Sequence, residues 1–440
     1  MRIEAIAAGG AGVGRVDGLT CFVPRTAPGD LAQVAYVNHG RYARGRLLQL
    51  LEPSTDRVAP RCVHYDGDEC GGCQLQHLTS EAQRAARQQI VQDALRRVGH
   101  REVPRPEIVT GPEWAYRERL TLTLRARGST WEGGLVPLTR AGQVFPLDEC
   151  PIAHPQLVAT WQALRAHLRG LPAVSRQTGG LPAAPMRLSL RRVADDASDS
   201  SVSESSVSES SVAVIVSGGR SWPGAADWAA QVHRAVPQLY AVWWEPEEGT
   251  PVHLAGHAAS DALAFAQVNP VMAAALRAHV FETVQQWTPR HVVDAYSGRG
   301  ELAVSLARAG AGVVAIEADA AATARASARL QDLPGTRVIT ALVEDALPDA
   351  LGLHDAAAPR PDVVVLNPPR RGVDDRVTAL LADSMTRGVR AIVYVSCDPA
   401  TLARDCARLP RWRVASLRCF DMFPQTAHVE TVCLLVPEES

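Results

Sequence analysis

The 440-residue chain contains no lysine, and all 45 of its Lys+Arg positions are arginine. That uniformity points to nucleotide bias in the gene rather than to selection for bidentate phosphate contacts, so arginine abundance alone carries no functional argument. No uninterrupted apolar run reaches the length that spans a bilayer. The opening Met1-Arg2-Ile3-Glu4 meets an acidic residue at once and lacks the apolar stretch and cleavage site of a secretory signal, so a cytoplasmic protein with no membrane partner is expected. Nor does either charge dominate. A formal net charge of -2 excludes a polyelectrolyte clamp spread over the whole molecule and confines any nucleic-acid surface to a local patch. Residues 1–130 hold 18 Arg against 14 Asp plus Glu, so this part stands at +4 and the remainder is acidic, a bias that favours a polyanion for the N-terminal part.

What is present is the balance of a soluble globular protein, 46% hydrophobic and 21% charged. The length predicts two to three domains. Turn residues at Gly9-Gly10, Gly12, Gly14, Asp17-Gly18 and Pro28-Gly29-Asp30 punctuate short strand-like runs, which predicts a small β-barrel over 1–57. A central α+β domain is expected over 58–255, with a cysteine cluster, a helix over 80–98 and strands such as 119–125. Inside it, 195–211 repeats Ser-Val-Ser-Glu-Ser with no apolar period that could bury a face, and reads as a solvated insertion. From 256 to 440, strands at 291–295, 312–317, 337–341, 362–366, 390–395 and 429–436 alternate with helices. Such alternation predicts a doubly wound, mostly parallel, Rossmann-like sheet with ligands at the carboxyl ends of its strands. No obligate protein partner is evident.

Nine cysteines in a chain of this kind argue for metal, catalysis or ordinary burial rather than disulfides. Cys62, Cys70 and Cys73 place three thiols within reach of one another, and Cys150 in Glu149-Cys150-Pro151 supplies a fourth. By count, four thiolates suit zinc or a 4Fe-4S cluster equally. In Asp294-Ala295-Tyr296-Ser297-Gly298-Arg299-Gly300-Glu301, two glycines one residue apart allow close backbone approach to a ligand, while Glu317 at the next strand end can bind ribose hydroxyls. Past the third strand, Glu344-Asp345 can reach an adenine. The lack of a full G-x-G-x-x-G favours S-adenosylmethionine over a dinucleotide. Val393-Tyr394-Val395-Ser396-Cys397-Asp398-Pro399 puts a thiol just past a buried strand, at the ligand edge. Cys406, Cys419 and Cys433 read as structural.

Several of these strings resemble one family in the same order. Gly18-x4-Val23-Pro24, Pro28-Gly29-Asp30 and Arg57-Val58-x2-Arg61-Cys62 resemble the TRAM domain, an RNA-binding barrel of oligonucleotide-binding type. Cys70-Gly71-Gly72-Cys73-Gln74-Leu75-Gln76-His77, Phe265-x-Gln267-x-Asn269-Pro270, the Cys397 motif continuing through Ala400-Thr401-Leu402-Ala403-Arg404-Asp405, and Asp421-Met422-Phe423-Pro424-Gln425-Thr426-Ala427-His428-Val429-Glu430 resemble the RNA uracil-5 methyltransferases. The resemblance implies a 4Fe-4S cluster on Cys62, Cys70, Cys73 and Cys150, with zinc as the alternative. It implies S-adenosylmethionine held by Gln267, Tyr296, Glu301, Glu317 and Asn367, with Asp345 added from its place past the third strand. Cys397 is then the nucleophile that adds to carbon 6 of the uracil, since carbon 5 is a poor nucleophile until something adds beside it. Glu430 is the acceptor of the carbon-5 proton. The target base must leave its stack. Barrel and cysteine cluster together resemble the 23S ribosomal RNA branch, with a transfer RNA substrate as the alternative; a cytosine-5 enzyme and a non-catalytic RNA-binding protein are the rival classes. Three departures stand out: Ser297 where many members have Cys, Asn367 where many have Asp, and Asp398 where many have Asn.

Overall fold

Three sheets follow from three different sequence patterns. The computed structural model describes all residues except 128–129, 141, 173–185, 194–210, 237–238, 259–262, 264–266, 356–357 and 439–440. All but the last residue of the insertion expected over 195–211 therefore lies outside the described residues, as does Phe265. Among the described residues no helix is long and apolar enough to cross a membrane.

The glycine-punctuated N-terminus forms a five-stranded sheet in the order Ile3–Ile6, Ala11–Val16, Leu19–Pro24, Ala43–Glu52, Leu31–Asn38. Ile3 N donates to Asp30 O and Ala32 N to Met1 O, both at 2.9 Å, so the last strand in space returns to the first and the sheet closes into a barrel. Closure removes the exposed edges that so short a sheet would otherwise present. Its outer face docks on the cysteine loop. The Arg25 guanidinium lies 4.2 Å from the Tyr65 ring centroid and donates to Asp66 at 3.0 Å and to Cys70 O at 3.3 Å. A Cβ added at Gly10 would sit 2.5 Å from the Cβ of Gln74, so only glycine allows this approach.

The second sheet has seven strands, in the order Val252–Gly256, Leu239–Glu245, Ser211–Ser217, Met186–Val193, Arg119–Arg127, Thr130–Leu135, Phe145–Pro146. Helices Pro155–Leu164 and Ala225–Ala235 cover one face, where Trp161, Trp228 and Val232 pack on Leu122, Leu188 and Val214.

The third sheet carries eight strands, in the order Thr336–Thr340, Gly312–Glu317, His291–Ala295, Val363–Leu366, Ala391–Ser396, Glu430–Pro437, Trp412–Phe420, Glu107–Val109. Glu430–Pro437 is antiparallel to both of its neighbours, and the other pairings are parallel. Helices bury both faces, which is why Val363–Leu366 is apolar at every position instead of alternating.

Two findings revise the reading of the chain. The middle segment is not one continuous unit: Glu107–Val109 adds an edge to the large sheet, and helix Ser80–Arg97 buries Val91 and Leu95 in that sheet's core beside Leu402 and Cys406. Periodicity shows that a helix has an apolar face but not which sheet it will cover. Strand Trp412–Phe420 was not anticipated; Arg413 and Arg418 interrupt it, and as the next-to-last strand of its sheet it tolerates them.

The same helix carries Arg87, 1% exposed, whose Nη2 pairs with Asp421 Oδ2 at 2.7 Å and whose Nη1 donates to Thr426 O at 2.9 Å. Removing one member of a buried pair strands the other. Arg87→Met is therefore expected to cost on the order of 3–5 kcal/mol in urea unfolding, and Arg87→Met with Asp421→Leu markedly less.

Candidate active site

Cys397 and Glu430 meet because of strand register. Ala391–Ser396 is buried throughout and pairs antiparallel with Glu430–Pro437, with Tyr394 opposite Cys433 and Ser396 opposite Thr431. Carrying that register one residue further sets Cys397 across from Glu430. Behind the thiol, Asp398 caps helix Pro399–Ala407, its Oδ1 accepting from Ala400 N at 2.8 Å and Thr401 N at 3.0 Å. Aspartate and asparagine cap equally well, so the Asp398 departure leaves this turn intact.

Burial, then the nearby Glu430 carboxyl, push the Cys397 thiol above its ordinary range, while Arg370 works the other way. Glu430 is 5% exposed, and burial pushes its carboxyl up to about 7 against the opposing pull of Arg370. A carboxyl so placed changes hands with a proton near neutral pH, as a general base must.

The segment leading to Glu430 is pinned from three sides. Gln425 has φ +71°, a left-handed conformation that costs a non-glycine residue energy. Its carbonyl accepts from Gln74 N at 3.1 Å and Leu75 N at 3.0 Å, both on the cysteine loop. Its own N–H donates to Gln83 Oε1 at 3.0 Å, and Gln83 Nε2 donates back to Gln425 Oε1 at 2.9 Å. Tyr116 donates to Pro424 O at 3.0 Å, and Asn269 Nδ2 to Met422 O at 3.2 Å. Sequence reasoning missed Gln83, Arg87, Gln425 and Arg370 as site residues. Gln425 stood inside a quoted motif without a role, Arg370 lies three residues past Asn367, and nothing local marks Gln83 or Arg87.

A second cluster forms at the neighbouring strand ends. After Asp294 the chain turns through Tyr296, Gly298 and Gly300 at φ +61°, +55° and +73°. Gly298 N donates to Glu317 Oε2 at 3.0 Å, and Glu317 Oε1 accepts from Ala318 N at 2.8 Å and Asp319 N at 2.9 Å. Asn367 N donates to Ala295 O at 3.2 Å, which brings Asn367 to the same edge as Tyr296 and Glu317. A Cβ on Gly298 would meet nothing within 4 Å, so space lies open beside the turn. Asp294 Oδ2 and Ser297 Oγ are buried without a hydrogen-bond partner, and burial pushes the Asp294 carboxyl up to about 7. Gln267 is half-buried beside Val268, whose carbonyl accepts from Glu118 N at 2.8 Å.

Two expected residues stand apart. The Glu301 carboxylate is held by Arg299 at 2.8 Å and Arg277 at 3.2 Å. Asp345, with its side chain 55% exposed, pairs with Arg376 at 3.0 Å, whereas Glu344, 8% exposed, lies within electrostatic reach of Tyr296. Helix Val343–Ala350 thus turns the first acid inward and the second outward.

The four cysteines converge in space. Cys62, Cys73 and Cys150 share an apolar pocket with Tyr65, Trp114, Tyr116 and Ile152, and Cys70, Cys73 and Cys150 each raise or feel the charge of the others. Burial is the main reason the Cys73 thiol is pushed up to about 12. Gly72 N donates to Cys70 Sγ at 3.4 Å. Among the described residues, no group of three or more His, Cys, Asp or Glu side chains is placed to hold a metal ion.

Against this geometry the comparisons with known proteins are decisive. Residues 353–438, which contain Cys397 and Glu430, match the model of the tRNA (uracil-5-)-methyltransferase family. A 23S rRNA (uracil(1939)-C(5))-methyltransferase of Aromatoleum aromaticum is 31% identical over 98% of this chain and 98% of its own length. The chain belongs to the RNA uracil-5 methyltransferase family. An uncharacterised RNA methyltransferase of Halalkalibacterium halodurans is 30% identical over 98% of this chain and 95% of its own. In fold, this family member resembles the Pyrococcus abyssi tRNA (uracil-54, C5)-methyltransferase, solved with S-adenosyl-L-homocysteine, at a TM-score of 0.67 and 20% identity over 99% of this chain and 100% of that one.

A carboxyl that stays neutral in the fold after the unfolded chain has ionised costs stability as pH rises from the ordinary carboxylate range through about 7. Glu430→Gln removes that cost. The variant is expected to melt several degrees above the wild type at pH 8, with the gap closing towards pH 4, in thermal scans across pH.

Proposed function

We propose that this chain methylates carbon 5 of a uridine in 23S ribosomal RNA, with S-adenosylmethionine as donor, through a transient bond from Cys397 Sγ to carbon 6. The observation that carries the reading is the register that ends on Ser396 opposite Thr431, one step short of Cys397 and Glu430, together with the action of the Glu430 carboxyl on the Cys397 thiol. The names and near-complete coverage of the ribosomal RNA relatives support the substrate. The family model's description favours transfer RNA as the competing substrate.

The cofactor turn fits a methyl donor. The open space at Gly298, the unpartnered Asp294 Oδ2 and Ser297 Oγ, and the Glu317 carboxylate offer polar groups to an amino acid and a ribose, with Tyr296 and Asn367 at the same edge; Gln267 joins the set from the family resemblance alone. When bound, S-adenosylmethionine supplies an electrophilic methyl group. Glu301 and Asp345 are the weaker members of the set because each is already engaged by arginine. Cys62, Cys70 and Cys73 are buried and Cys150 is half-buried, and the four lie within electrostatic reach of one another; these are the residues that would hold a 4Fe-4S cluster, which would brace the loop that holds Gln425. The closed barrel is read as the TRAM domain, and the whole as a cytoplasmic enzyme.

The protein's own residues then divide the work. Cys397 rests as a thiol; its proton leaves to water as the site fills, with Arg370 favouring the thiolate. Sγ adds to carbon 6 and the pair of electrons released reaches carbon 5, where it would displace the donor's methyl group from sulfur, the S–CH3 electrons staying with the departing neutral thioether. Glu430 accepts the proton from carbon 5, the electrons of that C–H bond restore the 5,6 double bond, and Sγ departs as thiolate. The exclusion of water by the pinned segment 421–427 keeps Glu430 basic enough for this step.

Three variants test it. Cys397→Ala is expected to lower 5-methyluridine formation by more than about 10³-fold and to form no covalent RNA complex on denaturing gels. Glu430→Gln is expected to accumulate a methylated protein–RNA complex that turns over slowly; free turnover by either variant contradicts its role. Cys73→Ser is expected to lose the brown cluster absorbance and soluble folding together, and a stable colourless enzyme would contradict the bracing role.

A further inference from the structure

One carboxylate behind the nucleophile is completely enclosed. Asp405, on helix Pro399–Ala407, is 0% exposed, and a carboxylate so buried has to be paired and hydrogen-bonded. Its Oδ1 accepts from Arg404 Nε at 2.8 Å and lies 2.7 Å from Arg404 Nη2. Its Oδ2 accepts from the Tyr394 hydroxyl at 2.8 Å and from Val373 N at 3.0 Å. Arg404 Nη2 also donates to the Arg371 carbonyl at 2.9 Å. Three segments therefore meet here: strand Ala391–Ser396, which leads into Cys397, the helix that leaves it, and the turn that follows Asn367.

That turn carries Arg370. Gly372 N donates to Pro369 O at 2.8 Å, so Arg370 and Arg371 fill the two central positions of a tight turn. Gly372 follows at φ +76°, and a Cβ there would stand 2.5 Å from both Asp405 Oδ2 and Arg404 Nη2. The turn is thus pressed against the buried pair with no room for a side chain. Joining the helix to its strand needs only Tyr394 and Asp405. The bonds to Arg371 O and Val373 N add nothing to that joint, and both fall on the turn. An exposed arginine is free to swing, so the backbone beneath it decides which groups its charge can reach. Arg370 is exposed and acts on Cys397, Glu430 and His428 together. At Cys397 the opposing charges are Glu430 and Asp398, and Arg117 joins Arg370 in acting on His428.

We infer that Asp405 and Arg404 are positioning residues that clamp the 369–373 turn and so keep the Arg370 guanidinium within reach of Cys397 and Glu430. The inference rests on the proposed methylation, in which Arg370 favours the thiolate, and adds what fixes that charge in place. The clamp is anchored on the two elements that flank the nucleophile, so the charge and the sulfur share one frame. Arg404 and Asp405 act through Arg370 and not on the substrate.

The test alkylates the full-length protein with iodoacetamide across a pH series and follows the Cys397 peptide by mass spectrometry. Arg404→Ala removes a side chain that is 39% exposed, and Gly372→Ala drives a methyl group into the clamp. Each is expected to raise the midpoint for Cys397 by about half a pH unit, read as roughly threefold slower alkylation below the midpoint. Arg370→Gln is expected to raise it as well, and adding either clamp variant to Arg370→Gln is expected to move it no further. In turnover, both clamp variants should lower kcat several-fold and leave the KM for S-adenosylmethionine unchanged. A wild-type midpoint in Arg404→Ala would overturn the clamp, and so would a rise of equal size with and without Arg370. A lowered melting temperature beside an unchanged midpoint would mark the network as structural only and overturn it too. Arg404→Ala decides the matter should Gly372→Ala fail to fold. The alkylation needs neither RNA nor methyl donor, so if the wild type does not methylate RNA while the midpoints move as stated, only the proposed function fails; if it methylates and they do not move, only the clamp fails.

Discussion

A reversed strand is the constraint on which the site depends. In a parallel sheet every strand ends at the ligand edge, so residues offered there come from strand ends and the loops after them. Ala391–Ser396 obeys this and delivers Cys397. Glu430–Pro437 runs the opposite way between Ala391–Ser396 and Trp412–Phe420, so it starts where they bring the chain to that edge, and its first residue is Glu430. Thiol and carboxyl are thus neighbours by ladder register, not by the fit of two independent loops. A slip of one residue would send Glu430 to the opposite face of the sheet.

Holding a carboxyl in that position is costly, and the surroundings show how the cost is met. Glu430 is desolvated, and the turn before it forces Gln425 into a left-handed conformation. The compensation comes from segments far away in sequence: Gln74 and Leu75 on the Gln425 carbonyl, Gln83 on its side chain and N–H, Arg87 on Asp421 and Thr426, Tyr116 on Pro424. Each satisfies a buried backbone or side-chain group that would otherwise cost a full desolvation penalty. The cysteine loop therefore touches the segment leading to Glu430 directly, which ties the cysteine-rich part of the chain to the large sheet.

Much of this was legible in the sequence. The parallel strands were readable because burial on both faces makes them apolar throughout, and Cys397 because its motif follows such a strand. The glycine-marked barrel was readable because tight turns demand those residues. What was not legible is long-range. Helix Ser80–Arg97 and Glu107–Val109 join the large sheet across three hundred residues of chain, and no local pattern records the partner. Trp412–Phe420 escaped because its arginines break the apolar pattern. Glu344 and Asp345 looked equivalent in sequence; both pair with Arg376, and helix phase separates them only by burying the first and exposing the second. In a chain whose basic positions are all arginine, Arg370 could not be told from the rest without its neighbours.

The central claim concerns one bond, from Cys397 sulfur to a pyrimidine carbon. Its most direct measurement is mass spectrometry of the peptide spanning 391–404 after the wild-type enzyme has been trapped on 5-fluorouridine-substituted ribosomal RNA with S-adenosylmethionine present. The account predicts a peptide heavier by one fluorinated, methylated nucleotide, with fragmentation placing the addition on Cys397. An unmodified peptide from an active enzyme, or the nucleotide found on Cys406 or Cys433, would contradict it.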